Sequence, residues 1–134
     1  MTKTITVEGD ISAADTEVVL NTQGSVTSPS MVVPAGVTKI DKIIAAVAAD
    51  LTAVGAAGFY CKLGGPAVLG GEQVIALGDE GGSSGTDSAG VVGGPIILEN
   101  LDISVRAQDT IVISAEMAGD DLGDASICIT LLFA

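Results

Sequence analysis

The chain has 134 residues, 48% of them hydrophobic, and its 17 acids against five cations give a net charge of −12. It contains no histidine and no tryptophan, and its aromatic residues are Phe59, Tyr60 and Phe133 alone. Histidine is the side chain most enzymes recruit for proton transfer near neutral pH, and so few cations cannot neutralise a phosphate backbone. The composition therefore speaks against an enzyme, a nucleic-acid binder and a protein of anionic membrane surfaces. A chain of this length is expected to form one domain, 1–134, that hides roughly 70% of its unfolded surface.

Thr4 to Glu8 alternates, with Ile5 and Val7 on one face, and reads as a first strand. Glu17 to Asn21 is a second, followed by a polar loop from Thr22 to Ser30 that contains Gly24 and Pro29. Ser30 to Val33 starts another strand, and Pro34-Ala35-Gly36 turns the chain. Val37 to Asp50 is ambiguous. Ile40, Ile43, Ile44, Val47, Leu51 and Val54 fall at helical spacing among helix-favouring alanines. No capping residue precedes them, however, and β-branched residues dominate the first half. A long strand is expected, with a helix over 39–51 as the alternative. Phe59 to Leu63 is a strand, Gly64-Gly65-Pro66 a turn and Gln73 to Leu77 a further short strand. Residues 79–94, rich in glycine and serine, read as a flexible loop. Four strand-like runs close the chain: Ile96 to Leu98, Leu101 to Val105, Thr110 to Glu116 and Ser126 to Phe133. About eight to ten short strands with regular turn signals indicate an all-β fold, an antiparallel β-sandwich. A jelly roll is favoured over an immunoglobulin-like sandwich, because the latter's core tryptophan is missing.

The densest acidic cluster is Gly119-Asp120-Asp121-Leu122-Gly123-Asp124. Asp120, Asp121 and Asp124 could hold a divalent cation such as Ca²⁺, which takes several oxygens and tolerates irregular loops. The plainer reading is a solvated turn in which Asp and Gly serve the backbone. Asp79, Glu80 and Asp87 flank or lie in the glycine-rich stretch, which lacks the Gly-Lys-Ser/Thr ending of a phosphate cradle. Cys61 and Cys128 sit in apolar strand-like runs and read as buried thiols, a disulfide between two strands being the alternative. Lys62 neighbours Cys61, but successive strand residues point to opposite faces, so it is not expected to activate the thiol. The first residues, Met1 to Val7, alternate like a strand and carry no signal-peptide core. No apolar run reaches the roughly 20 residues needed to span a bilayer, so no membrane insertion is expected.

Pro34-Ala35-Gly36-Val37-Thr38-Lys39-Ile40, Gly71-Glu72-Gln73 and the closing run Ile127 to Phe133 resemble pieces of small jelly-roll capsid or capsid-decoration proteins of prokaryotic viruses. The likeness is one of style across most of the chain and carries over no functional residue. It implies a non-enzymatic structural subunit of a viral capsid or virion surface that self-assembles as a homo-oligomer, with copies of itself and other virion proteins as partners. With no signal-peptide core the chain is expected to be made in the cytoplasm, and the resemblance implies a virion or other extracellular assembly as its destination. A fibre or sheath subunit and a small ligand- or carbohydrate-binding module are the alternative readings.

Overall fold

The computed structural model describes residues 3–11, 17–21, 30–49, 57–80, 96–119 and 125–134. Ten strands are described: β1 (Lys3–Ile11), β2 (Val18–Val19), β3 (Ser30–Val32), β4 (Lys39–Ala49), β5 (Ala57–Gly64), β6 (Gln73–Glu80), β7 (Ile96–Leu98), β8 (Ile103–Ser104), β9 (Thr110–Gly119) and β10 (Ala125–Phe133). They form two antiparallel sheets packed face to face, the β-sandwich expected from the sequence. The first runs β1-β10-β4-β7, with β8 also on β4; the second runs β2-β9-β5-β6, with β3 also on β9. No helix long and apolar enough to cross a bilayer occurs among the described residues.

The alternation of side chains builds the core directly. Val7 and Ile11 of β1, Ile127, Ile129, Leu131 and Phe133 of β10, and Ile43, Ala45 and Val47 of β4 point inward from the first sheet. Phe59, Cys61 and Leu63 of β5 meet them from the second sheet, with Ile111, Ile113, Ala115 and Met117 of β9. Most of these residues are aliphatic, and many are β-branched, the side chains that pack best on a pleated surface.

The Val37 to Asp50 segment is a strand, and a bulge explains its helix-like spacing. Leu132 of β10 pairs with Lys42, but Phe133 pairs with Ile40, leaving Asp41 as an extra residue in β4. The extra residue shifts the period, so Ile40 and Ile43, three apart, both turn into the core while Ile44 faces out, half-buried. Leu51 and Val54 lie outside the described residues.

Most element limits shift from the sequence reading, β1 and β9 running on by three residues to Ile11 and Gly119, and three further shifts bear on the topology. The second strand shrinks to Val18–Val19, because Asn21 leaves β9 to pair with Glu8 of β1. Leu101 to Val105 yields only β8, since Asn100 turns the chain at φ 58° between β7 and β8. β6 continues through Asp79 and Glu80, which were expected in the loop; residues 81–94 of that loop lie outside the described residues.

Main-chain bonds join the two sheets twice. On one side the Glu8 N–H donates to the Asn21 carbonyl at 2.8 Å, and the Leu20 N–H donates to Ile113 of the second sheet at 2.8 Å. On the other, the β5–β6 connection reaches the first sheet: Leu69 N–H donates to Ser104 at 3.1 Å and Arg106 N–H to Ala67 at 2.8 Å. Gly65 makes that second crossing possible. Its φ is 90°, and a Cβ placed there would lie 2.8 Å from the Thr110 carbonyl oxygen, whose partner is the Ala67 N–H. Gly71 shares the left-handed conformation, at φ 84°, but has open space around it.

Those two glycines separate strain from collision. Gly71→Ala should cost about 1–2 kcal/mol for the left-handed conformation alone, and Gly65→Ala about 2 kcal/mol more because the backbone must also move. Urea unfolding of both variants checks the difference.

Candidate functional site

The outer face of the second sheet carries the one ion-pair cluster that joins more than two side chains among the described residues. Lys62 leaves β5 on the face opposite Cys61, as strand geometry requires. In register it lies beside Ser114 of β9, and Tyr60 lies beside Glu116. Glu17, just ahead of β2, completes the group. Lys62 Nζ is 3.1 Å from Glu17 Oε2 and 3.1 Å from Glu116 Oε2, and Ser114 Oγ donates to Glu17 Oε1 at 2.8 Å. Ser114 is almost fully covered, whereas the Glu17 side chain is 43% exposed.

Each partner fixes the charge of the next. The bonds from Ser114 and then Lys62 hold the Glu17 carboxyl below its ordinary range. Those to Glu116 and then Glu17 hold the Lys62 ammonium above its own. Lys62 is thus kept from the free-amine form a nucleophile or base needs, and Glu17 from the protonated form a general acid needs. What the arrangement does is pin the edge strand β2 to β9 and β5. The sequence signal for it was slight: a lysine inside the apolar run Phe59 to Leu63 must face outward and find acids, but only the register says which.

Among the described residues singled out from sequence, Lys62 belongs to this cluster. Asp120, Asp121 and Asp124 lie outside the described residues, between the end of β9 and the start of β10, as does Asp87. Among the described residues no three Cys, Asp or Glu side chains are grouped to hold a metal ion. Both cysteines are free. Cys61 is a core residue of the second sheet, and burial pushes its thiol up to about 12. Cys128 corrects the expectation of two buried thiols. It lies between the inward-facing Ile127 and Ile129, so it faces outward from the first sheet, half-buried beside Glu8. Burial first, and then the Glu8 charge, raise its pKa.

A thiol reagent should therefore label one cysteine per native chain, Cys128, and two after unfolding, as mass spectrometry of the labelled chain would count. The ion-pair cluster should appear in the pH dependence of stability. The depressed Glu17 contributes stability above its unfolded value near 4.5, and loses it as pH falls through the folded value. The raised Lys62 contributes fully below its unfolded value near 10.5, and loses it as pH rises through the folded one. The stability gap between wild type and Glu17→Gln should hold between about pH 6 and 9 and narrow in acid, read from urea unfolding at each pH. The chain's sequence matches no protein-family model and no curated protein.

Proposed function

We propose that the chain is a non-enzymatic structural subunit that assembles with copies of itself, as capsid and virion-surface proteins do. The observation that carries this reading is where the exposed apolar side chains lie. Val19, Val32, Leu69, Val74 and Ile97 are 37–62% exposed. Four stand on edge strands (β2, β3, β6 and β7) and Leu69 on the β5–β6 connection, so all five mark the lateral margins of the sandwich. Edge strands left for solvent normally carry charge or proline to prevent pairing. Here Lys62 and Glu116 sit at mid-sheet and these five apolar residues at the rim, an arrangement suited to burial against a neighbour. The edge strand β1 keeps the charged Lys3, Glu8 and Asp10.

The order of the strands supports the jelly-roll form of the sandwich. Counting β2 with β3 and β7 with β8 as broken strands leaves eight, in the orders 1-8-3-6 and 2-7-4-5. Only one consecutive pair, β5 and β6, is adjacent within a sheet; an immunoglobulin-like sandwich would hold several such pairs. The interleaving is that of two Greek keys, an architecture that viral capsid domains share with lectins and cupins. Fold by itself does not assign function. A ligand-binding module is the second reading, favoured by an open groove of about 440 Å³ lined by Leu69, Gly70, Gln73, Asp102, Ile103 and Ser104.

A net charge of −12 on every copy opposes association until salt screens it. Native mass by light scattering behind size exclusion should show a defined oligomer or particle whose share grows with protein concentration. It should also grow between about 0.01 M and 0.15 M salt, as the Debye length shrinks from about 30 to 8 Å. A monomer at every concentration and ionic strength would overturn the reading.

A further inference from the structure

The two lateral margins of the sandwich differ, and they differ in a complementary way. The margin formed by β2 and β3 presents Val19 and Val32 on the outer face of the second sheet. Lys3 of β1 stands beside it, its Nζ donating to the Ala35 carbonyl in the turn that follows β3. The opposite margin of the same sheet presents Val74 on β6, with Leu69 in the connection before it. Glu72 lies between them, its carboxylate over Gly64 at the edge of β5. Among the described residues neither Lys3 nor Glu72 has a salt-bridge partner, as holds also for Lys39, Glu8, Asp10, Asp41 and Asp102, whereas Lys42, Lys62 and Arg106 all do. One margin is thus apolar with an unpaired cation, and the other apolar with an unpaired carboxylate.

We infer that copies of the chain join margin to margin, the Val19–Val32–Lys3 side of one against the Leu69–Glu72–Val74 side of the next. The inference rests on the assembly reading above and specifies its contact. The occupant is a second copy because the chain itself supplies the matching surface: apolar against apolar, and ammonium against carboxylate at the flank. Such a contact is heterologous, using two different patches, so each copy keeps one margin free after the first union. A stable interface needs about 800 Å² from each partner, and the chain exposes 6420 Å². Two such contacts per copy take about a quarter of the surface.

Two single variants and their mixture test this. Val32→Asp blocks one margin and Val74→Asp the other, and both positions are more than half exposed, so the sandwich has room for either carboxylate. Each variant alone should run as a monomer where the wild type assembles. Mixed in equal amounts, the intact margin of each should meet that of the other and give a dimer of two 13.2 kDa chains that grows no further. If both variants assemble like wild type, the margins are not the contact, although the chain remains a self-assembling subunit. If either variant alone forms a dimer, or the mixture stays monomeric, the heterologous pairing is wrong. A wild type that is monomeric throughout removes this inference together with the proposed function.

Discussion

A two-sheet sandwich keeps its core dry only if its open sides are closed, and here the main chain closes them. On one side the segment around Leu20 and Asn21 bonds to β9 of one sheet and β1 of the other, so it spans the gap. Val7, Ile11, Leu20 and Val33 along that side have no measurable exposure. The opposite side is tied at the Val68–Val105 bridge. Ile75, Ile96, Leu98, Leu101 and Ile103 there are packed on the core yet only partly buried. Polar main-chain groups that cross between sheets are satisfied by each other, while the Asn21 side-chain Oδ1 at that crossing is buried without a hydrogen-bond partner among the described residues. The chain needs this device because it owns only three aromatic rings with which to fill corners.

The same closure explains how much could be read from the sequence. Strands buried on one face for their whole length announce themselves by alternation, and β1, β9 and β10 were legible for that reason. β4 was harder because Asp41 is inserted without a partner on β10, and a single inserted residue turns a period of two into a spacing of three. The short strands were the least legible. β2 and β8 exist because a neighbour offers a few hydrogen bonds, and their limits are set by where Asn21 and Asn100 turn away. Local propensity carries no information about such partners.

The Lys62 cluster shows the same limit in a functional setting. Its members lie at positions 17, 62, 114 and 116, and nothing in the linear chain relates them. Register brings Lys62 opposite Ser114, and the path of the chain into β2 delivers Glu17. The acidic run at 120–124 stands out in sequence because its members are close along the chain, and it lies outside the described residues. The cysteines make the point in miniature. Cys61 and Cys128 share the same apolar surroundings in sequence, but opposite phases in their strands put one in the core and the other on a face.

Charge and apolar surface pull in opposite directions on this chain, and their ranges decide which prevails. Repulsion between copies of net charge −12 acts over a Debye length, so it governs the approach of two copies and weakens with salt. The margins act only at contact, where buried apolar area contributes about 25 cal/mol per Å² whatever the ionic strength. Under the proposed assembly, copies would associate slowly when dilute and in low salt and be held firmly once docked, because salt alters the encounter far more than the docked interface. The contact proposed above would join unlike margins, so pairing alone would not close it. The angle between successive copies determines whether the union returns on itself as a ring or continues as a filament. In the proposed contact that angle would follow from the twist of the second sheet between β2 and β6, which the packing of the aliphatic side chains beneath it holds.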